Sequence, residues 1–196
     1  MISPADGVAF TTAGDGDMRR NPEARESLGL GEWATVRQVH GSTVVDAAGS
    51  GDHGDADGLF TTQEGLALAV FTADCLGVVI HGPARVAVVH AGWRGVAAGV
   101  VTDAVARVGD VQSVHIGPHI RPCCFEVGPE VSARFVGHLA RTTAGTTSVD
   151  LASAVAAQSP VEPEVVDLCT RCGNDTFSHR RNGTRERLAA VGWVTA

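Results

Sequence analysis

LALAVFTADCLGVVIHGPARVAVVHAGWRGVAAGVVTDAVARVG (66–109) is the stretch that decides the fold. It holds three short valine-rich runs, at 66–72, 77–81 and 86–90, bounded by Gly, Pro or Asp, the signature of strands. The last part, 95–109, places Val96, Val100, Ala104 and Val108 on one face at helical spacing. Further out, 34–40, 112–117, 164–168 and 188–194 read as strands. Helices are expected at 128–140, with Pro129 in the first turn, and at 150–159, with Asp150 as N-cap. The Gly- and Asp-rich 47–58 and the stretch 140–148 read as surface loops. Sheet runs with separated helices suggest α+β packing, helices covering a mixed sheet. No repeat or linker interrupts residues 1–196, so one domain is expected.

The bulk numbers narrow the function. At 196 residues, 44% hydrophobic and 19% charged, the chain is globular and large enough for a substantial core. A net charge of −7 argues against nonspecific nucleic-acid or membrane-surface binding. The one dense basic cluster, His179, Arg180, Arg181, Arg185 and Arg187, leaves room for a local anion pocket. The start MISPADGVAF lacks the pattern of a signal peptide. No run reaches the roughly 18 apolar residues of a membrane helix. Five cysteines, two of them adjacent, do not read as a secreted disulfide framework, and a reducing cytoplasm is the expected setting.

His40, Cys75 and His90 each sit at the end or edge of an apolar run. Two imidazoles and a thiolate suit zinc, and three protein ligands leave its fourth position open, as in catalytic sites. The gaps of 35 and 15 residues match no compact zinc finger. The three can meet only if their strands lie side by side. Spacing alone also allows plain core or surface residues.

Other words carry two readings each. HAGWRG (90–95) follows a strand and precedes a helix, so its amides and Arg94 could grip a phosphate, or it is an ordinary turn. In FTADC (71–75), Asp74 could serve as acid or base, or cap a turn through backbone hydrogen bonds. IGPHIRPCCFEVG (116–128), stiffened by two prolines, could be a substrate-contacting wall bearing His119, or a rigid connection with buried cysteines. The lone CTRC (169–172) wants a second pair to bind zinc. Cys123–Cys124 has the wrong spacing for that, so these cysteines are expected to be structural. FSHRRNGTRER (177–187) reads as a charged hairpin turning at Asn182–Gly183, or as an anion site using Arg180 or Arg181.

Together QVHG (38–41), DADGL (55–59), TADC (72–75), HAGWRG (90–95), IGP with PCCFEVG (116–128) and FSHRR (177–181) resemble the laccase-domain family, in order from about residue 34 to the end. Its members go by the names of multicopper polyphenol oxidases or of purine nucleoside phosphorylases with adenosine deaminase activity. The resemblance implies an α/β sandwich with a mixed sheet, and His40, Cys75 and His90 as zinc ligands near the sheet edges. It also implies phosphorolysis of adenosine, inosine, guanosine or methylthioadenosine, with deamination of adenosine. Purine nucleoside and phosphate are then the partners of a monomer or homodimer. The chain departs from the family in a shortened N-terminal stretch (11–30), in His119 and Arg121 for small residues, in Phe125 and His179 for tyrosines, and in Glu186 for a glycine.

Three functions are weighed. A zinc-dependent nucleoside enzyme would use Arg94 to hold phosphate and Asp74 as acid or base, with His119, Arg180 and Arg181 contacting substrate. A copper oxidase wants a weak axial ligand, often Met, and paired histidines; the chain has Met1, Met18 and no H-x-H among eight histidines. Zinc therefore ranks ahead of copper. A third possibility is a non-catalytic protein braced by its metal.

Overall fold

The computed structural model describes residues 1–195. Along the chain the first strands are β1 (Val8–Phe10), β2 (Trp33–Arg37), β3 (Val44–Asp46), β4 (Gly51–Asp55) and β5 (Gly58–Thr61). The central ones are β6 (Ala67–Thr72), β7 (Leu76–Gly82), β8 (Arg85–Ala91) and β9 (Ser113–Ile116). The last are β10 (Leu139–Arg141), β11 (Thr147–Val149), β12 (Glu164–Val165) and β13 (Leu188–Gly192). The helices are α1 (Pro22–Glu26), α2 (Trp93–Ala97), α3 (Val100–Val108), α4 (Pro129–Ser132), α5 (Leu151–Ala156) and α6 (His179–Asn182).

Two mixed sheets stack. One has the order β1-β13-β6-β2-β4, the other β12-β9-β7-β8-β5-β3, and β10–β11 form a separate hairpin. Strand alternation assigns each face. Val79, Val86 and Val88 of the six-stranded sheet pack with Leu68, Val70 and Ala190 of the five-stranded sheet, making the sandwich interior. On the other face Val78, Ile80, Ala87 and Val89 meet Val100, Val101, Ala104 and Val108 of α3 and Leu151 and Val155 of α5. The outer face of the five-stranded sheet, with Trp33, Ala67, Ala69, Phe71 and Ala189, is covered by Met18, Ala24, Leu28 and Leu30. Both faces of β6, β7 and β8 are thus buried, and their sequences read as continuous apolar runs.

The connection from β6 to β7 positions the site. These consecutive strands belong to different sheets, so the chain must cross over within Ala73–Asp74–Cys75. Asp74 makes that turn with φ 103°, a conformation that costs a non-glycine residue of order 1–3 kcal/mol.

All seven expected strands are present within a few residues, and Asp150 caps α5 by accepting from the Ser153 amide at 3.0 Å. Several expectations are corrected. The helix at 95–109 starts earlier, at Trp93, and breaks at Gly99, whose left-handed φ of 89° divides α2 from α3. The helix expected at 128–140 stops after α4, because Leu139–Arg141 pairs with β11 instead. The 47–58 loop contains β4, which adds in parallel to β2 with mostly exposed residues, so no apolar alternation marked it. The 140–148 loop is the tip of the β10–β11 hairpin. The expected hairpin at Asn182–Gly183 is the end of α6, with Gly183 in the left-handed conformation that closes a helix.

Candidate active site

Asp57, between β4 and β5, organises the centre. Its carboxylate is fully buried. Oδ1 accepts from the His40 amide at 3.0 Å and from Nδ1 of His90 at 2.7 Å; Oδ2 accepts from the amides of Val39 and Gly41 at 3.2 and 2.5 Å. Burial alone would raise its pKa, but the hydrogen bonds from His90, Gly41 and His40 hold it below the usual carboxylate value. One buried anion therefore fixes both the loop carrying His40 and the ring of His90. With Nδ1–H committed to Asp57, His90 presents Nε2 on its other side, the arrangement that orients metal-binding histidines.

His40 follows Val39 into a left-handed turn (φ 60°) that the Asp57 oxygens stabilise. Its ring stands edge-on to that of His90, the planes at 84° and the centroids 4.8 Å apart. Cys75 comes from the inter-sheet crossover. One donor atom from each of His40, Cys75 and His90 lies within 4.8 Å of the other two. Burial raises the Cys75 thiol, but hydrogen bonds from His40 and His90 outweigh it and bring its pKa down to about 6. Burial lowers His90, yet hydrogen bonds to Asp57 and Cys75 raise its pKa to about 9. A cysteine sulfur and two imidazole rings thus converge, the sulfur and the His90 ring each favouring the other's charged form. Gly92 leaves the space beside them: a Cβ there would lie 3.2 Å from His40 Cδ2 and 3.3 Å from Cys75 Sγ. Its φ of −70° suits any residue, so glycine is needed for room rather than for backbone freedom. Donor chemistry, convergence and the kept space fit a metal ion.

The trio borders a cavity of about 380 Å³, within the range of small-molecule sites. Apolar lining comes from Phe71, Trp93, Ile120, Phe125 and Leu151, while Arg19, Arg94, Arg180 and Arg187 bring four guanidinium groups. Asp74 is the one carboxylate in this lining. In an acidic protein this lining concentrates positive charge beside an apolar surface.

The remaining predicted residues separate into groups. Asp74 lines the cavity and also ties it together. Its Oδ1 accepts from the hydroxyls of Thr170 and Ser178 at 2.6 and 2.7 Å, and Oδ2 from the Arg180 amide at 2.6 Å. Arg94 lies over its neighbour Trp93, 4.4 Å from the ring centroid. Arg180 donates to the Glu126 carbonyl at 2.9 Å and covers Phe125. Arg181 does not reach the cavity: its guanidinium donates to the carbonyls of Thr170, Arg171, Gly173 and Thr176 and pins the loop before α6. His119 is also away from the lining, fully buried, with Nδ1 donating to the Gly117 carbonyl at 2.8 Å.

Sequence reasoning missed four contributors. Asp57 stood inside DADGL without a role. Gln38 bonds both ways to the Phe71 backbone, donating at 2.7 Å and accepting at 2.8 Å, and so holds the His40 loop against β6. Arg19 carried no signal, since its segment has no periodic pattern. Arg187 was visible only as one member of the basic cluster.

The chain resembles known proteins over nearly its whole length. The sequence profile of the multi-copper polyphenol oxidoreductase laccase family matches residues 17–195. A purine nucleoside phosphorylase of Corynebacterium glutamicum is 36% identical over 180 residues, spanning 81% of this chain and 73% of that protein. The purine nucleoside phosphorylase YfiH of Escherichia coli K12 is 35% identical over 176 residues, 81% of this chain and 72% of that protein. The crystal structure of YlmD from Geobacillus stearothermophilus superposes with a TM-score of 0.80 at 25% identity, covering 100% of this chain and 94% of the other. With the matched profile covering nearly the whole chain, the chain belongs to the multi-copper polyphenol oxidoreductase laccase family, and the two relatives named purine nucleoside phosphorylase are above 30% identical to it.

Proposed function

We propose that this chain is a purine nucleoside phosphorylase that holds zinc with His40, Cys75 and His90. The observation that carries the reading is the meeting of that trio with a pocket bearing both aromatic faces and four guanidinium groups. A nucleoside and phosphate together present an apolar base, a ribose and an oxyanion, which is what this lining complements.

In phosphorolysis a phosphate oxygen forms a bond to ribose C1′ as the C1′–N9 bond breaks, and the purine departs with the bonding pair and gains a proton. Arg94, Arg187 and Arg19 hold the phosphate and fix its line of approach. Trp93 and Phe125 flank the base. Zinc, when bound, supplies a Lewis acid beside the reacting groups. Arg180 steadies Phe125 by lying over its ring and fixes the Glu126 backbone. Adenosine, inosine, guanosine and methylthioadenosine are the proposed substrates. Adenosine deamination is a second activity, in which water replaces the amino group at C6. Asp74 is proposed as its proton carrier, being the one carboxylate in the lining and having an acceptor position left on Oδ2. A reducing cytoplasm suits both the substrates and the free thiols.

Copper oxidation is the weaker reading. The family name favours it, but Met18 is fully buried outside the lining. Among the described residues, the other convergence of metal-type donors is four cysteines without a histidine. The test is incubation with inosine and phosphate, followed by chromatography. Hypoxanthine and ribose 1-phosphate in equal amounts are expected; no product above a Cys75→Ser control would overturn the proposal.

A further inference from the structure

Cys123, Cys124, Cys169 and Cys172 come together although 45 residues separate the two pairs. All four sulfurs lie within 4.8 Å of one another. Cys123 Sγ is 3.7 Å from both Cys124 Sγ and Cys172 Sγ, and Cys124 Sγ is 3.0 Å from Cys172 Sγ. A tetrahedral zinc ion with Zn–S bonds of about 2.3 Å needs sulfurs about 3.8 Å apart. The cluster is close to that size and is built from four free thiols.

The backbone around it is prepared for thiolates. The segment 169–173 has the pattern C-x-x-C-G, closed by the Gly173 amide donating to the Cys169 carbonyl at 2.8 Å. Gly173 has no room for a side chain, because a Cβ would fall 2.9 Å from that carbonyl oxygen. The Arg121 amide points at Cys169 Sγ from 3.5 Å. On the other side, Cys124 and Phe125 turn back onto the Arg121 carbonyl, each at 2.9 Å, which brings two adjacent cysteines to one side of a tight turn. Cys172 is exposed and gives an ion a way in.

We propose that these four cysteines form a second metal site, a closed tetrathiolate that takes zinc. Binding of one Zn²⁺ displaces the four thiol protons, and no coordination position remains for substrate, so the site is structural. Its place in the fold gives it a purpose. One pair lies beside Ile120 and Phe125 of the pocket wall, and the other flanks Thr170, whose hydroxyl holds Asp74. Short-range pairing already joins the two segments, with the Thr170 amide donating to the His119 carbonyl at 2.9 Å. The ion locks them.

The Cys75→Ser chain isolates this site from the one in the pocket. Purified under reducing conditions and dialysed, it is expected to retain about one zinc per chain by elemental analysis. Replacing that zinc with cobalt(II) should give the intense visible bands of an all-thiolate tetrahedral ion. Adding Cys169→Ser and Cys172→Ser should remove both signals. If the triple variant does not fold, the Cys75→Ser chain itself is titrated with a thiol-specific mercurial, which should release its one zinc as the four remaining thiols react. A folded Cys75→Ser chain without metal overturns the proposal. So does retained metal that is iron, or a Cys124–Cys172 disulfide found by mass spectrometry of the reduced preparation.

Discussion

Nδ1 of His90 lies 2.7 Å from Oδ1 of Asp57, and the same carboxylate accepts the amides of Val39, His40 and Gly41. The two histidines of the centre, 50 residues apart in sequence, are therefore set by one anion. Asp57→Asn keeps the volume but gives one of these donors an amide N–H₂ to face. Metal affinity should fall by about 10- to 100-fold, as it does when a carboxylate behind a ligating histidine is lost. The folded state should lose about 1–3 kcal/mol for the buried donor left unpaired. Competition with a chromophoric chelator and urea unfolding read the two effects separately.

Gly92→Ala should spare the fold and harm the centre. Alanine adopts the backbone angles of Gly92 without strain, but its Cβ meets the His40 ring and the Cys75 sulfur at 3.2–3.3 Å. Thermal unfolding of the chelator-treated chain should shift little, while zinc affinity and phosphorolysis both fall. Equal losses in stability and affinity would show that the crowding acts on the sandwich instead.

Arg187→Ala and Arg181→Ala should differ in kind. Arg187 lines the cavity, and losing a charge-assisted bond worth about 1.5–3 kcal/mol should raise the KM for phosphate by about 10- to 100-fold. Arg181 serves the carbonyls of residues 170–176. Its loss should lower the melting temperature, with the KM for phosphate nearly unchanged in the protein that stays folded. Steady-state kinetics with phosphate varied, beside thermal melts, separate the two.

Acid should destabilise the metal-free chain. Burial lowers the pKa of His81, His115 and His119 below the ordinary value near 6.5. At these three positions the unfolded chain takes up protons that the folded chain refuses, so their contribution to stability is fully present above about pH 6.5 and is lost as pH drops below it. His119→Gln, which keeps a donor for the Gly117 carbonyl, should flatten that decline. Melts from pH 8 to pH 5 in chelator check it, and an unchanged slope would remove His119 from the account.

Much of this was legible in the sequence where chemistry and periodicity coincide. The runs around Cys75 and His90 are strands because both their faces are covered, and continuous valine runs say so. The trio was visible because ligand types are few. What stayed hidden depends on the folded path. Asp57 looks like any loop aspartate until its loop is wrapped by residues 39–41. Arg181 and Arg180 are neighbours with one composition, yet the short helix beginning at His179 sends one to the cavity side and the other to a loop. His119 read as a contact residue, but the pairing of its backbone with residues 168–170 carries its ring inward. Cys169 and Cys172 have the spacing of half a zinc site, but the adjacent Cys123–Cys124 does not, and the four meet only because two turns come together in the fold.

The most direct test of the central claim is anomalous diffraction from crystals of the zinc-loaded chain, recorded on both sides of the zinc absorption edge. A peak is expected about 2.0–2.3 Å from a ring nitrogen of His40, from Nε2 of His90 and from Sγ of Cys75, facing the cavity. A zinc-loaded crystal with no peak there, or with these three side chains turned apart, would contradict the claim.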